Sequence, residues 1–361
     1  MSLAVLTGFP GFIGRRLVSK LLADDSELRI AALVEERMLD AAREAAAEID
    51  EGGKRLEVIP GDIGEPGLGL GDADAKRLSA DAEFVFHLAA IYSLDVPLQI
   101  AQRVNVDGTG NVIDFCLGAD KLRRFVYIST AYVAGKRRGT VYEHELVMGQ
   151  EFKNHYESTK FQAEAWVAEK AVPRVPTTVL RPAIVVGDSK TGETQKFDGP
   201  YFILRTIAET ERHGRPVAQF GRSDAPFNVV PVDFVVDAIA AAATDEAMEG
   251  ETLHLVDPEP LNACELVKLL SQEYAGREPK GSIPPKLVEA SLRIGAVRDR
   301  FGGAPRESIV YLNHPVAYDT RRATALLTPH GLRPPNFRDY VGSMTRFFRE
   351  HEDEPKFRPG G

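Results

Sequence analysis

Two groups of residues in this sequence have types and spacing suited to acid–base chemistry. Tyr156 and Lys160 are four residues apart in HYESTKFQAEAW, so a helix would place both on one face. An apolar segment upstream ends in two hydroxyls, Ser129 and Thr130. A nearby ammonium lowers the pKa of a phenol, and a hydroxyl can stabilise an oxygen that gains negative charge. Together these residues would suit proton transfer to a carbonyl oxygen.

The segment LTGFPGFIGRRL carries glycines at positions 8, 11 and 14, between a short apolar run and a predicted helix. In such a strand–turn–helix the first glycine permits a tight bend. The second lets the backbone approach a pyrophosphate, and the third lets helix and strand pack closely. A tight turn without a ligand is the alternative. Because repeated strand–helix units follow, we predict a dinucleotide-binding turn.

The first half of the chain alternates short apolar runs with helical patterns. Several runs are apolar on both faces, which is typical of strands inside a helix-covered parallel sheet. Right-handed crossovers between them predict an α/β fold, a Rossmann-type doubly wound parallel sheet with its ligand crevice beyond the carboxyl ends of the strands. The predicted strands are 3–8, 28–34, 55–62, 82–90, 124–130 and 177–187, and the predicted helices are 12–23, 37–50, 97–118 and 155–171.

The pattern loosens after residue 188. We assign residues 1–188 to the Rossmann domain and 189–361 to a smaller, mostly helical C-terminal substrate-binding lobe, interleaved with the main domain. The amphipathic stretch 286–301 could lie on a membrane or close a pocket, and we favour a lid or core helix because short apolar faces usually pack inward. The lobe is predicted to contain a polar loop at 190–200, a strand at 252–256, a turn leading into a helix at 228–245, and helices at 201–214, 261–274, 285–299 and 336–350.

Composition excludes several classes of protein. The 361 residues are 43% hydrophobic with a formal net charge of −9, which favours a globular protein and argues against nucleic-acid binding. Cys116 and Cys264 are far apart in sequence and suggest neither a disulfide framework nor a metal site. We find no signal-peptide pattern and no apolar run of bilayer length, so we expect no transmembrane segment and a cytoplasmic location.

A series of motifs, in order along the chain, resembles the extended short-chain dehydrogenase/reductase (SDR) superfamily. The segments HLAAIYSLDVPLQIAQRVNVDGTGNVI and ISTAYVAG are most similar to its thioester-reductase and fatty-acyl-CoA-reductase branch. The series consists of TGFPGFIG, GDIGEP, FHLAA, RVNVDGTGNVIDFC, ISTAYVAG, the Tyr156–Lys160 pair, LRPAIVVG and FNVVPVDFVVDA.

The resemblance implies a role for each candidate catalytic residue. Tyr156 would donate a proton to the substrate carbonyl oxygen, and Lys160 would supply charge and hold the nicotinamide ribose. Thr130 would hydrogen-bond the reacting oxygen, with Ser129 as the fallback. Asn105 resembles the asparagine that stabilises the family's proton relay, although a helix cap or an interhelix hydrogen bond is an equal alternative.

The resemblance also implies a complete dinucleotide site. Asp62 and Ile63 would flank adenine, and Ala89 and Ala90 would let the cofactor pass the fourth strand, next to a core histidine at position 87. The full predicted set is Gly8, Phe9, Gly11, Phe12, Ile13, Gly14, Arg37, Asp62, Ile63, Ala89, Ala90, Tyr156, Lys160, Pro182 and Ala183.

The end of the second predicted strand bears on the choice between NAD and NADP. Glu35 would suit a free ribose 2′-hydroxyl, whereas Arg37, helped by Arg15, would suit a 2′-phosphate. The thioester-reductase branch usually has a basic residue after the LV of this strand, so Glu35 departs from its pattern. We favour NADP(H), with Arg37 as the phosphate contact, and keep NAD(H) as possible.

The function implied is hydride transfer from NAD(P)H to a carbonyl carbon, with an acyl thioester (acyl-CoA or carrier-bound) reduced to aldehyde or alcohol. An aldehyde/ketone or hydroxysteroid-type alcohol dehydrogenase is the first alternative, and a sugar-nucleotide epimerase or dehydratase the second. A cofactor-sensing scaffold would not need the proton donor Tyr156. The resemblance to this family also suggests a homodimer formed through the helices at 97–118 and 155–171.

Overall fold

The computed structural model describes residues 2–93, 96–284, 287 and 306–357. The strands are β1 (Leu3–Thr7), β2 (Arg29–Val34), β3 (Leu56–Pro60), β4 (Ala82–His87), β5 (Arg124–Ile128), β6 (Gly139–Val141), β7 (Thr177–Pro182), β8 (Ile184–Val186), β9 (Val229–Pro231), β10 (Thr252–Leu255) and β11 (Val316–Tyr318). Seven of them form one parallel sheet in the order β10-β7-β5-β4-β1-β2-β3. The strand order reverses between β1 and β4, where a sheet of this kind has its ligand crevice. The predicted Rossmann-type fold is confirmed.

Helices cover the sheet and build the second half of the chain. They are α1 (Phe12–Asp24), α2 (Leu39–Ile49), α3 (Asp72–Asp81), α4 (Leu98–Ala101), α5 (Gly108–Leu117), α6 (His155–Trp166), α7 (Tyr201–Arg212), α8 (Val232–Thr244), α9 (Ala263–Ala275), α10 (Arg321–Leu327) and α11 (Phe337–His351). A π-helical stretch, Gln102–Asp107, joins α4 to α5, and another, Val167–Ala171, extends α6. Short 3-10 helices occur at Glu36–Met38, Pro66–Gly69, Ala131–Ala134, Glu246–Met248, Arg306–Asn313, Thr328–His330 and Pro355–Phe357.

Two predicted strands differ from the structure. The run 177–187 is two strands, because β7 ends at Pro182 and β8 pairs with β9 in a separate small sheet. The run 82–90 stops at His87, because only the first N–H group after it, that of Leu88, still bonds to a strand carbonyl of β1. The N–H of Leu88 donates to the Thr7 carbonyl, and that of Ala89 to the Thr7 hydroxyl. The chain therefore leaves the sheet here.

The two halves of the chain interleave. Strand β10 pairs with β7, and α8 packs against α1, so residues after 188 complete the main sheet and one of its helical layers. Helices α7, α9 and α11 enclose a second apolar core with Phe197, Leu266 and Phe348 at its centre. Apart from Leu287, the amphipathic stretch 286–301 lies outside the described residues, as does the helix predicted at 285–299. Among the described helices, none has the length and hydropathy that crossing a bilayer requires.

Candidate active site

A cavity of about 1590 Å³ opens at the carboxyl ends of the central strands. Thr7 of β1, Val34 of β2, Ile128 of β5 and Pro182 of β7 all line it. The structure brings the whole predicted cofactor set into its walls, from the glycine turn to Ala183, together with Ser129 and Thr130. The candidate site is thus one continuous space rather than several separate pockets.

The glycine turn closes one end of this cavity. Gly8 has a φ of 93°, and a Cβ there would lie 2.9 Å from the Ala89 backbone nitrogen. A Cβ on Gly14 would lie 2.5 Å from the Gly8 carbonyl oxygen, so the third glycine is required for the turn itself. No side chain caps the start of α1, and the first N–H groups of a helix have no partner within it. These groups fit a dinucleotide pyrophosphate.

A buried network fixes the segment after β4 beside the glycine turn. The Thr7 hydroxyl lies 2.7 Å from His87 Nδ1 and accepts the Ala89 N–H at 3.2 Å, while His87 Nε2 lies 3.0 Å from the Thr109 hydroxyl. Burial lowers the pKa of His87 to about 3, so the ring is neutral at physiological pH. His87 is a core histidine that holds Ala89 against Gly8.

Tyr156 meets Thr130 at the end of β5. The Thr130 hydroxyl donates to the Pro182 carbonyl oxygen at 3.4 Å and also acts on the Tyr156 phenol. Burial raises the pKa of Tyr156 to about 12; the Thr130 hydroxyl opposes the rise, and the charge of Glu157 adds to it. The direction of this shift is opposite to the lowering that a nearby ammonium would cause, because desolvation of the phenolate is the largest effect. At neutral pH Tyr156 keeps its proton.

Lys160 lies beneath this pair on α6. Its Nζ donates to the Ile128 carbonyl at 2.8 Å and stands 4.4 Å from the centre of the Tyr127 ring. Burial lowers the pKa of Lys160 to about 7, against the opposing charge of Glu164. The ammonium is therefore in equilibrium with the neutral amine near neutral pH.

Glu164 follows Lys160 by one helical turn and is fully engaged. Its carboxylate pairs with Arg181 at 2.5 Å, both side chains being buried, and accepts a hydrogen bond from Ser129. The Ser129 hydroxyl thus belongs to the Glu164 network, and Thr130 is the hydroxyl that meets Tyr156.

Asn105 braces the site from outside the cavity. Its Oδ1 accepts the Ile91 N–H at 2.8 Å, and its Nδ2 donates to the Ile91 carbonyl at 3.1 Å and to the Thr159 hydroxyl at 3.0 Å. The side chain is buried and is not among the residues that line the cavity. This geometry matches the interhelix alternative left open by the sequence: Asn105 holds the segment after β4 against α6.

Charged side chains that line the cavity just after β2 and β3 pair with one another. The Asp62 carboxylate accepts hydrogen bonds from Arg103 Nη2 at 2.7 Å and from the Gly64 N–H at 2.8 Å. Burial opposes ionisation of Asp62, but these hydrogen bonds prevail and lower its pKa. Arg37 Nε donates to Glu35 at 2.8 Å, and both residues line the cavity.

Arg15 does not reach the cavity walls. It pairs instead with Glu48 on α2, at 2.5 Å. In this structure the Arg15 side chain is therefore engaged on α2 and not beside Arg37. Within the described ranges, no cluster of histidine, cysteine or carboxylate side chains could hold a metal ion.

Residues 6–239 match the family model described as Male sterility protein, an NAD-binding family. The chain belongs to this family. This family is the thioester-reductase branch of the extended SDRs, and its members are NAD(P)-dependent reductases.

Several curated proteins are similar to the chain over part of their length. An aldehyde reductase (lnbA) of Aspergillus flavus is 30% identical over 270 residues, which are 70% of this chain and 26% of that protein. A fatty acyl-CoA reductase (wat) of Drosophila melanogaster is 26% identical over 286 residues, 67% of this chain and 54% of that protein. The chain thus spans about a quarter to a half of the length of these two relatives.

Solved structures share the fold over nearly the whole chain. The terminal R domain of the myxalamid PKS-NRPS pathway superposes with a TM-score of 0.80 at 24% identity, covering 99% of this chain and 93% of that one. A UDP-glucuronic acid 4-epimerase of Bacillus cereus, in complex with NAD, has a TM-score of 0.66 at 20% identity, covering 96% and 99%. At these identities the likeness concerns the fold.

Sequence reasoning missed two features of the site. The first is the Glu164–Arg181 ion pair. The four-residue spacing from Lys160 puts Glu164 on the helix face that meets the site, but it does not identify Arg181 as the partner. Asp198 lies in the predicted polar loop 190–200, where nothing in the local sequence separates a cavity-lining carboxylate from a solvated one.

Proposed function

We propose that this chain is an NADPH-dependent reductase that converts an acyl thioester to an aldehyde or alcohol. The observation that supports it is the convergence of Thr130, Tyr156 and Lys160 on a largely apolar cavity that continues to the glycine turn. The relatives named above include a fatty acyl-CoA reductase and an aldehyde reductase, which agree with this chemistry.

Bound NADPH would supply the hydride to the carbonyl carbon. Tyr156 holds its proton at neutral pH because burial raises its pKa, and it gives that proton to the carbonyl oxygen as negative charge develops there. Thr130 orients the phenol and stabilises the same oxygen by a hydrogen bond. For a thioester the product is a hemithioacetal, whose carbon–sulfur bond breaks to release the thiol and leave an aldehyde.

The remaining predicted residues would bind and orient the cofactor. The first turn of α1 would receive the pyrophosphate, and Lys160 would hold the nicotinamide ribose hydroxyls. Pro182, Ala183, Ala89 and Ala90, which line the cavity, would contact the nicotinamide half of the cofactor. Asn105 acts as a positioning residue, since its amide is bound to Ile91 and Thr159.

NADPH rather than NADH is proposed because of Arg37. Its guanidinium lies in the cavity wall and is exposed, so it can turn from Glu35 to a 2′-phosphate, which carries more charge than one carboxylate. Glu35 competes for the same cation and would favour a free 2′-hydroxyl.

The first experiment follows the loss of NADPH or NADH absorbance with a panel of acyl-CoAs and the matching free aldehydes and ketones. Oxidation driven by an acyl-CoA supports thioester reduction. Activity confined to aldehydes or ketones would replace it by the alcohol dehydrogenase alternative. Interconversion of a sugar nucleotide without net cofactor oxidation would replace it by the epimerase alternative.

The state of assembly and the location of the chain are also proposals. We propose a homodimer through the helices at 97–118 and 155–171, whose surface exposes Leu98, Ile100 and Leu117. Light scattering after size-exclusion chromatography gives the mass directly, and a monomer would remove the dimer. We propose a cytoplasmic location, which cell fractionation tests.

A further inference from the structure

One carboxylate in the cavity has no part in the chemistry described above. Asp198 lies in the loop between β8 and α7, lines the cavity and is half-buried. In the part of the chain that the structure describes, no side chain makes a hydrogen bond or a close ion pair with it. The positive charge of Lys196, two residues earlier, acts on it from a distance.

Apolar side chains share the cavity with Asp198. Phe202 and Ile203 of α7 line it, as do Val217 and Phe227, together with the polar Thr194 and Gln195 of the Asp198 loop. Burial raises the pKa of Asp198 to about 6, against the opposing charge of Lys196, so the group is mainly ionised at neutral pH. An ionised carboxylate in apolar surroundings is costly unless a ligand group completes it.

Tyr92, in the segment after β4, lines the same cavity. Burial raises the pKa of Tyr92 to about 12, and the negative charge of Asp198 adds to that effect. Ile91, the neighbour of Tyr92, is the residue that Asn105 holds by two hydrogen bonds. These bonds fix the backbone next to a phenol that shares the cavity with the carboxylate.

The other charged groups of this half of the cavity are further away. Glu209 lies near the opposite end of α7, about 12 Å along the helix axis from its first residue at the usual rise, and His213 and Arg215 follow the end of the helix. Among the described residues, Asp198 is therefore the negatively charged group that acts on Tyr92.

We propose that Asp198 and the Tyr92 hydroxyl bind a protonated amino group on the acyl part of the substrate. This rests on the proposed thioester reduction. An ammonium donates to the carboxylate and to the phenolic oxygen and cancels the charge, whereas a plain alkyl chain would bury Asp198 without a partner. A hydroxyl could donate one hydrogen bond but would leave the charge uncompensated.

The test compares pairs of acyl-CoAs of equal length, one ending in a methyl and the other in an ammonium, over a series of chain lengths. For the wild type we expect kcat/KM to favour the amino member of at least one pair by about tenfold or more, the range of a charged hydrogen bond. Asp198→Asn keeps the shape of the side chain and should abolish or reverse that preference. Glu209→Gln, which removes a carboxylate from the other end of the same cavity, should leave it unchanged.

A second variant keeps the proposal testable if Asp198→Asn does not fold. Tyr92→Phe removes only the phenolic hydroxyl and should lower the amino preference by a smaller factor than Asp198→Asn. The same ratio in wild type and both variants overturns the proposal, as does a wild-type preference for the plain chain. If no thioester is reduced at all, the proposed function fails instead. Binding of alkylamines against matched alkanols, measured by calorimetry on wild type and Asp198→Asn, then still tests the amine site.

Discussion

Arg37 donates a hydrogen bond to Glu35, with 2.8 Å between Nε and Oε2, at the edge of the cavity where the second strand ends. The two side chains stand two residues apart and are exposed, so solvent screens the pair and leaves it weak. An incoming phosphate can therefore draw the arginine away at small cost. Selection of the cofactor becomes a competition between one carboxylate and one phosphate for the same guanidinium.

Substitutions of Arg37 and of Glu35 should shift the preference between NADPH and NADH in opposite directions. Arg37→Met should lower kcat/KM for NADPH by about tenfold or more and leave NADH little changed, because only NADPH loses a charged contact. Glu35→Gln should raise the NADPH/NADH ratio by freeing Arg37. The matched control is Arg43→Met, which removes an exposed arginine paired with Asp40 on α2 and should leave the ratio as it is. A ratio unaffected by Arg37→Met would remove Arg37 from the phosphate site.

Tyr156→Phe should separate binding from turnover. Loss of the phenolic proton should lower kcat by about 10²–10⁴-fold, the usual range for a general acid. NADPH affinity, followed by the fluorescence of the bound cofactor, should stay within a few-fold of wild type. Tyr132→Phe is the control, since Tyr132 lines the same cavity and only its backbone N–H contacts Thr130. Equal losses in both variants would point to a general disturbance of the pocket.

The sequence predicted those parts of the site whose geometry is local. The glycine turn follows from spacing alone, because Gly8 needs a positive φ and Gly14 needs contact with the Gly8 carbonyl. The convergence of Thr130 with Tyr156 follows from the order of strands, since parallel strands end at one edge of the sheet. Both inferences use only neighbours along the chain or the general rules of the fold.

The other contacts depend on residues far apart in sequence. Whether Asn105 touches substrate or braces a loop is decided by the position of Ile91, which the sequence pattern does not fix. Arg181 of β7 and Glu164 of α6 are brought together by the packing of helices on the sheet, which joins residues 17 positions apart. The end of β4 is set by the Thr7 side chain, which takes the Ala89 N–H out of the strand ladder. Periodicity in sequence carries no signal for such contacts.

The pKa of Lys160, lowered to about 7 by burial, should appear in the pH dependence of reduction. The ammonium is present below that pH and is lost above it, so kcat/KM should fall about tenfold per pH unit as the pH rises beyond about 7. Lys160→Arg keeps its charge throughout this range and should lack the fall, although its larger head group lowers activity overall. His213→Asn should retain the fall, which excludes the histidine in the cavity as its source. Loss of the pH dependence in His213→Asn would contradict the assignment to Lys160.

The Glu164–Arg181 pair should matter more to stability than an exposed pair of similar length. Glu164→Gln leaves the Arg181 charge buried without its counter-ion and also weakens the hydrogen bond from Ser129, so the free energy of unfolding should fall by about 3–5 kcal/mol. Lys121→Ala breaks the solvent-exposed pair with Asp81 and should leave the urea midpoint nearly unchanged, because water replaces the lost partner. Urea unfolding followed by circular dichroism measures both. A fall for Glu164→Gln no larger than that for Lys121→Ala would mean that Arg181 finds another partner, and that the pair is not what holds β7 against α6.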